Sequence, residues 1–261
     1  MRIATWNVNS LKARLPRVEA WLAEAAPDVL CLQETKLADA AFPALAFQAL
    51  GYDAVHHGEG RWNGVAILSR VGLDDAQPGW TEDGRASDPE ARIVWATCGG
   101  VRVASVYVPN GRELGHDHYR YKLAWLDRLR AHVATAHTPA DAVVVAGDFN
   151  IAPTDDDVWD PALFVGSTHV SEPEREALRA LQGWGLYDTF RRLHPEPGNY
   201  TYWDYRAGAF HKGMGMRIDL LLGTAPVADA VTAAVMDRNA RKGTKPSDHA
   251  PVYIDVEGFP R

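Results

Sequence analysis

An aspartate and a histidine stand side by side near the end of the chain, in residues 244–251 (TKPSDHAP). Prolines at both ends stiffen this segment, so Asp248 and His249 place a carboxylate and an imidazole together on a restrained loop. Such a pair can bind a cation, hold a phosphate or steer a nucleophile. The alternating run 252–256 (VYIDV) that follows predicts a strand. The pair alone is weak support for a catalytic site, which also needs other groups that converge on it.

Three further polar segments follow apolar, strand-like runs. They are residues 6–9 (WNVN) after 2–5, residues 33–36 (QETK) after 28–32, and residues 147–150 (GDFN) after 142–146. Strand ends that meet at one edge of a sheet are places where a rigid scaffold presents catalytic groups. The sequence therefore predicts one active site that is assembled from four separate segments.

Asn7, Glu34 and Asp248 offer oxygen ligands for a metal ion without any cluster of cysteines or histidines. Hard oxygen ligands suit Mg²⁺ or Mn²⁺ and do not suit structural zinc. Such a cation neutralises charge on a phosphoryl oxygen and stabilises a leaving alkoxide. A lone glutamate at a strand end is more often a solvated boundary, so the metal prediction depends on the three residues acting together.

Asp148 and Asn150 are predicted to point to the same side of the chain, with Phe149 turned into the core. A simple turn is the alternative, because Asp and Asn are favoured in turns. In the catalytic interpretation the carboxylate holds or deprotonates a water and the amide donates to a phosphate. Asp219 lies inside an apolar run, 217–222 (RIDLLL). Because buried carboxylates are rare unless paired, we expect Asp219 to orient His249 and stabilise its protonated form.

The elements that must position these groups alternate between strands and amphipathic helices. Helices are predicted at 15–25, 42–50, 119–136 and 174–183, and strands at 28–33, 65–69, 93–98, 101–108, 142–146 and 218–222. Polar-ended strands recur in both halves of the chain. We therefore expect an α/β fold of two similar halves packed sheet on sheet, a four-layer α/β/β/α sandwich that forms a single domain over 1–261. Residues 206–217 are expected to form a mobile loop.

The composition limits the kind of protein. Among the 261 residues, 46% are hydrophobic and 23% charged, which is ordinary for a soluble globular protein. The formal net charge of −7 argues against a surface that binds nucleic acid everywhere, but leaves room for a local basic face. No apolar run approaches the roughly 18–20 residues that span a bilayer, and no signal peptide is recognisable. We expect a cytoplasmic monomer in which Cys31 and Cys98 are buried free thiols.

Six motifs, in order along the chain, resemble those of the exonuclease III family of DNA-repair nucleases. They are residues 6–10 (WNVNS), 32–36 (LQETK), 107–111 (YVPNG), 147–150 (GDFN), 217–219 (RID) and 247–251 (SDHAP). This family of AP endonucleases belongs to the endonuclease/exonuclease/phosphatase superfamily, whose DNase I-like sandwich agrees with the two-half layout. The resemblance implies Mg²⁺-dependent hydrolysis of double-stranded DNA in base excision repair, with Mn²⁺ as an alternative cation. The implied reactions are 5′ incision at abasic sites, 3′-to-5′ exonuclease action and removal of 3′ blocking groups.

The resemblance also implies roles for single residues at the matched positions. Glu34 would be the main metal ligand, in a metal-binding set completed by Asn7, Asp148, Asn150, Asp248 and His249. Asp148 would position or deprotonate the attacking water. Asn150 and His249 would hold the scissile phosphate. Tyr107 would contact that phosphate or help the leaving group, and Asp219 would pair with His249.

DNA contacts are implied in the same way. Tyr202, Met216 and Ile218 would line a pocket for a flipped-out abasic sugar, which costs little to extrude because its stacking and pairing are already lost. Further substrate contacts are expected from Lys36, Asn110, Arg112, Trp203 and Arg217, with residues 201–206 (TYWDYR) forming an exposed aromatic cluster. A positive rim that engages the phosphate backbone is expected from Arg112, Arg120, Lys122, Arg206, Arg217, Arg241, Lys242 and Lys245.

Three alternatives use the same residues differently. A phosphodiesterase or phosphatase of the same superfamily would act on a lipid head group or a small phosphate ester with this machinery. A catalytically dead DNA-binding module is disfavoured, because every matched catalytic position is filled. A secreted DNase-like enzyme is disfavoured, because the sequence shows neither a signal peptide nor a disulfide framework.

Overall fold

A computed structural model describes residues 1–80, 84–85 and 88–260. Within these ranges the strands are β1 (Arg2–Asn7), β2 (Val29–Gln33), β3 (Asp53–His57), β4 (Val65–Ser69), β5 (Asp74–Pro78), β6 (Ile93–Cys98), β7 (Val101–Tyr107), β8 (Val143–Asp148), β9 (Tyr187–Asp188), β10 (Asp219–Gly223), β11 (Val231–Met236) and β12 (Val252–Val256). The α-helices are α1 (Leu11–Ala25), α2 (Ala44–Gln48), α3 (Asp117–Ala136), α4 (Glu172–Trp184), α5 (Thr189–Leu193), α6 (Ala209–Lys212) and α7 (Ala225–Ala228).

The strands form two six-stranded sheets with closely related layouts. The first has the order β11-β12-β1-β2-β4-β3 and the second the order β5-β6-β7-β8-β10-β9. In each sheet a central parallel pair is joined across a helix, β1 and β2 through α1, and β7 and β8 through α3. The neighbouring strands are antiparallel in both sheets. The predicted duplication is therefore present, with one addition: the end of the chain returns to the first sheet as β11 and β12.

Most buried apolar side chains belong to three layers of core. Between the sheets, Ile3 and Ile67 of the first pack in one cluster with Val103 and Leu221 of the second. Outside the second sheet, apolar residues of α3 and α4 cover the other faces of β6, β7 and β8. Outside the first sheet, Trp21 and its neighbours on α1 do the same for β1, β2 and β4. The α/β/β/α sandwich that the sequence predicted is confirmed.

Strands that the sequence did not predict lie at the edges of the sheets. β3, β5, β9 and β11 are the four outer strands. A strand with one unpaired side and exposed residues lacks the apolar pattern of a buried strand, and β5 reads Asp-Asp-Ala-Gln-Pro. The segment expected as a loop at 206–217 is partly helical instead, with a 3₁₀ turn at Arg206–Gly208 followed by α6.

The two cysteines agree with the sequence prediction. Cys31 and Cys98 are both buried and both free, as predicted. No helix in the described part of the chain is long and apolar enough to cross a membrane.

Candidate active site

The polar strand ends meet at one edge of the two sheets. Asn7 ends β1, and Glu34 directly follows β2, the parallel neighbour of β1. Asp148 ends β8 and lies opposite Asp219, the first residue of the antiparallel β10. Because β12 runs antiparallel to β1, the segment that precedes it, with His249, lies at the same edge. Strand direction therefore brings together residues from distant parts of the sequence.

The backbone at this edge is held in an unusual conformation. Glu34, Lys36 and Asn150 have φ angles of 52°, 53° and 51°, in the left-handed region that non-glycine residues seldom adopt. The chain around Glu34 is held by the loop that precedes β4, since the Lys36 amide donates to the Asn63 carbonyl at 2.9 Å. Strained backbone of this kind persists where the surroundings determine it, often at functional sites.

One amide connects two carboxylates at the centre of the site. Nδ2 of Asn7 donates to Oε1 of Glu34 and to Oδ2 of Asp148, both at 2.9 Å. The other oxygen of Glu34 lies 2.9 Å from Nζ of Lys36. Burial alone would raise the pKa of Glu34, but Lys36 and Asn7 outweigh it and lower the pKa. Glu34 is therefore charged at neutral pH.

His249 links the second sheet to this centre through its ring. Nδ1 of His249 lies 2.8 Å from Oδ2 of Asp219, and Nε2 lies 3.8 Å from Oδ2 of Asp148. Burial lowers the pKa of His249, but the carboxylates of Asp219 and Asp148 outweigh it and raise the pKa to about 10. The pairing of His249 with Asp219 is thus present, and its ring is an imidazolium at neutral pH. Burial raises the pKa of Asp148 to about 7, against the opposing charge of His249.

The donor set at this centre fits a hard divalent cation. An oxygen of Glu34, an oxygen of Asp148 and a ring nitrogen of His249 lie within 4.8 Å of one another. Because both nitrogens of the protonated His249 ring carry hydrogen, the two carboxylates are the candidate ligands and the ring is a hydrogen-bond donor beside them. Two carboxylates beside the Asn7 amide give the oxygen-rich surroundings that Mg²⁺ and Mn²⁺ prefer. A cation would also favour the charged form of Asp148, which burial otherwise disfavours. Asp248 stands apart from this group: its Oδ1 accepts from Nδ2 of Asn9 at 3.1 Å.

Two side-chain amides and a phenol complete the site. Nδ2 of Asn110 donates to Oδ1 of Asn150 at 3.2 Å, and Nδ2 of Asn150 donates to the Val108 carbonyl at 2.9 Å. Burial raises the pKa of Tyr107 well above its usual value, and the charge of Glu34 adds to the effect. Tyr107 is therefore a neutral phenol that can donate a hydrogen bond.

A cavity of about 350 Å³ opens beside the His249 ring. Its lining includes the predicted Tyr202 and Met216, and the Tyr202 ring lies 4.9 Å from the His249 ring. Ile218 is 3% exposed and packs behind Met216 in a small apolar cluster. Trp159, Phe164 and His169 also line the cavity. These three residues were not predicted from the sequence, because they lie outside the recognised motifs.

Two residues predicted to contact DNA are buried instead. Arg217 is 1% exposed, and its guanidinium pairs with Asp157 at 2.6 Å and with Asp188 at 2.8 Å. Trp203 is 2% exposed and packs edge-on against Phe210, with ring centroids 5.2 Å apart. Neither side chain can reach a substrate, so the prediction of direct contact is wrong for both. The aromatic run 201–206 is accordingly only partly exposed.

The predicted positive rim is also smaller than expected. Lys122 and Arg241 are buried, as Arg217 is, and cannot contribute to it. The exposed members are Arg112, Arg120, Arg206, Lys242 and Lys245. Of the other predicted contact residues, Asn110 is exposed and Lys36 is half-buried.

Comparison with known proteins identifies the family to which the chain belongs. The model of the endonuclease/exonuclease/phosphatase family matches residues 4–249. Exodeoxyribonuclease III of Haemophilus influenzae is 31% identical over 272 residues, which cover 98% of this chain and 100% of that protein.

Solved structures agree with the sequence comparison. An AP endonuclease from Archaeoglobus fulgidus superposes with a TM-score of 0.94 at 36% identity, covering 98% of this chain and 99% of that one. The 3′-5′ exonuclease NExo from Neisseria meningitidis gives a TM-score of 0.93 at 41% identity, with the same coverage. NExo has also been solved as a 3′ phosphatase bound to a product DNA hairpin. The chain belongs to the endonuclease/exonuclease/phosphatase family and, within it, to the exonuclease III family of nucleases.

Proposed function

We propose that the protein is a Mg²⁺-dependent DNA-repair nuclease that hydrolyses phosphodiesters of double-stranded DNA in base excision repair. Its proposed reactions are 5′ incision at abasic sites, 3′-to-5′ exonuclease action and cleaning of blocked 3′ ends. One observation carries the proposal: Glu34 and Asp148 lie within reach of a single ion, directly beside the His249–Asp219 pair. The chain is proposed to act as a monomer and a single domain.

The metal would be held by Glu34 and Asp148, with Asn7 beside them. When bound, Mg²⁺ supplies positive charge that stabilises the oxyanions of phosphodiester hydrolysis. Asn7 fixes both carboxylates in place through its two hydrogen bonds. Lys36, which lies 2.9 Å from Glu34, adds a second positive charge at the same edge.

The attacking water would be oriented by Asp148. Its Oδ1 accepts from the backbone amide of Asn150 at 2.9 Å, so the carboxylate is fixed at the end of β8. His249, as an imidazolium, would bind the scissile phosphate through Nε2, while Asp219 occupies Nδ1 and fixes the orientation of the ring. Asn150 and the neutral phenol of Tyr107 complete the set of donors. Positioned donors and acid–base groups of this kind are each worth roughly 10²–10⁴ in rate.

Three features support DNA as the substrate over a small phosphate ester. The cavity beside His249 is lined by the aromatic side chains of Tyr202, Trp159 and Phe164, which suit a nucleotide sugar or base. Arg206, which is exposed, lines the same cavity and can contact a phosphate backbone. The relatives named above are nucleases, and NExo has been solved with DNA.

The proposal is tested by comparing substrate classes with one enzyme preparation. The substrates are a duplex with a recessed 3′ end, a hairpin with a 3′-phosphate, a glycerophosphodiester and bis(p-nitrophenyl) phosphate, each with Mg²⁺ and with chelator. We expect Mg²⁺-dependent turnover of the DNA substrates with kcat/KM at least about 100-fold above the two small esters, since remote binding energy contributes to catalysis. Preference for a small ester would favour the alternative phosphodiesterase function.

A further inference from the structure

A lysine on the inner face of α3 ends inside the protein, behind the catalytic loops. Lys122 has 0% of its surface exposed. Its Nζ donates to the backbone carbonyl of Asn150 at 2.7 Å and to that of Asn110 at 3.3 Å. The same nitrogen forms a buried ion pair with Glu174 of α4. One ammonium group therefore contacts two loops that carry side chains of the candidate site.

The partner carboxylate holds a third loop. Oε1 of Glu174 accepts from Oγ1 of Thr168 at 2.7 Å and from the backbone amide of His169 at 3.0 Å. Oε2 accepts from the backbone amide of Ser171 at 3.1 Å, within the capping box that begins α4. Since His169 lines the cavity beside His249, this loop also belongs to the rim of the site.

The three loops are tightly joined around the pair. Nδ1 of His169 lies 2.6 Å from the backbone carbonyl oxygen of Asn150. Lys122 donates to the same oxygen. Asn150 is in the left-handed conformation at φ 51°, and its carbonyl oxygen is contacted by both Lys122 and His169. At Gly111 a Cβ would lie 2.7 Å from Oγ1 of Thr168 and 3.2 Å from Cδ of Lys122, so there is no room for a larger residue.

Stability alone gives a weak reason for such a pair. Burying two charges is costly, and a well-packed apolar pair of similar volume is often as stable or more stable. An apolar pair could not satisfy the backbone carbonyls of Asn110 and Asn150 or the amide of His169. Leaving those groups unpaired would allow the three loops to shift.

We propose that Lys122 and Glu174 are positioning residues whose ion pair fixes the loops carrying Asn110, Asn150 and His169 in the geometry that the reaction needs. Neither residue touches the substrate. The inference rests on the proposed function for its kinetic consequence, but its structural consequence can be measured without any substrate.

The first test compares Lys122→Met and Glu174→Gln with the wild type in cleavage of a duplex with a recessed 3′ end. We expect kcat to fall by about 10- to 100-fold with KM changed less than about threefold, because misplacement by about 1 Å can cost 10²-fold in rate. Asp28→Asn is the matched control: Asp28 is 1% exposed and lies 2.9 Å from Arg70, before the start of β2 at the opposite edge of the sheet. That control should lose stability and keep its kcat.

The second test measures hydrogen exchange by mass spectrometry in the same proteins. Exchange is expected to rise in residues 108–112, 148–152 and 167–171 of the Lys122 and Glu174 variants, but not in those segments of Asp28→Asn. Should Lys122→Met fail to fold, Glu174→Gln provides the same comparison, because the glutamine keeps the shape of the side chain but replaces one acceptor oxygen with an NH2 donor and removes the charge.

The outcomes separate the two proposals. Folded variants with wild-type kcat, or with unchanged exchange in the three segments, would overturn the positioning role. A wild-type protein that cleaves no DNA would overturn the proposed function, and the exchange pattern would still decide the positioning role.

Discussion

Two buried aspartates have different neighbours in the candidate site and are expected to perform different tasks. Asp219 contacts Nδ1 of His249 at 2.8 Å, which keeps that ring charged. Asp148 contacts the Asn7 amide on one oxygen and the Asn150 backbone on the other, and burial raises its pKa to about 7. A cation next to this carboxylate would favour its charged form, which suits the binding and orientation of a water molecule.

Asp148→Asn tests the assignment of Asp148 to the handling of the water molecule. The amide keeps the shape of the carboxylate but cannot accept a proton or a metal ion in the same way. We expect cleavage of duplex DNA to fall by about 10⁴-fold or more, because a metal ligand and an acid–base group are lost together. Binding to an abasic duplex, measured by fluorescence anisotropy, should change by less than about threefold. Equal losses of cleavage and binding would contradict the catalytic role.

Asp219→Asn tests the pairing of Asp219 with His249, through the pH dependence of stability. The pKa of His249 is raised from 6.5 to about 10. The charged His249 ring therefore stabilises the folded protein fully below about pH 6.5, and this stabilisation is lost as the pH rises towards 10. Near pH 6 the variant should lose about 3–5 kcal/mol in unfolding free energy, the usual consequence of breaking a buried ion pair. Denaturant unfolding with chelator should show this difference shrinking towards pH 10. A difference that is constant with pH would contradict the account.

At the scale of elements, the site depends on the close approach of neighbouring strands. Gly147 lies one residue before Asp148 in β8, beside β7. A Cβ added there would lie 1.9 Å from the carbonyl oxygen of Val106, so no larger residue fits without moving a strand. The position of Asp148 is thus tied to the spacing between β7 and β8.

Gly147→Ala should therefore destabilise the protein, by about 1–3 kcal/mol or more, as overpacking does. Gly183→Ala is the control: it lies inside α4 with nothing within 4 Å of the added carbon, and should stabilise by about 0.5–1 kcal/mol. Chemical denaturation of the two variants checks both signs. Equal effects at the two positions would show that strand spacing is not the constraint.

The sequence predicted the central elements well and the outer ones poorly, for physical reasons. Strands buried on both faces, such as β8 with its run of valines, have an unmistakable apolar pattern. Edge strands such as β5 lack it. The convergence of Asn7, Glu34, Asp148 and His249 followed from polar residues at the ends of apolar runs.

Burial was the property that motif matching could not supply. Arg217 lies in a recognised motif but is neutralised by Asp157 and Asp188 inside the protein, and neither aspartate belongs to a motif. Lys122 looked like an exposed helix cation, because its partner Glu174 lies 52 residues further along the chain. Long-range ion pairs of this kind leave no local pattern in the sequence.

At the scale of the whole molecule, an acidic protein must engage a polyanion. The formal net charge is −7, so attraction to DNA has to come from exposed cations near the site. Arg206 is one of these cations, and it lines the cavity beside Tyr202. Within the described part of the chain its ion-pair partner is the nearby Asp204. Each cation that neutralises a phosphate releases counterions and makes binding salt-dependent.

Arg206→Ala should weaken binding to duplex DNA and reduce the salt dependence of affinity. The slope of log K against log salt should fall by about 1, as expected for the loss of one phosphate contact. Arg130→Ala is the control, because Arg130 is also exposed and also paired with a nearby aspartate, on α3. Equal slopes for the two variants, measured by anisotropy titration over a range of salt, would place the DNA elsewhere on the surface.

The most direct measurement is the cleavage of an end-labelled duplex that carries one synthetic abasic site, with Mg²⁺ and with chelator, beside an undamaged duplex. We expect Mg²⁺-dependent incision immediately 5′ of the lesion and laddering from the 3′ end of the undamaged duplex. No cleavage of either duplex by folded, metal-supplied protein would contradict the central claim that this cluster hydrolyses DNA.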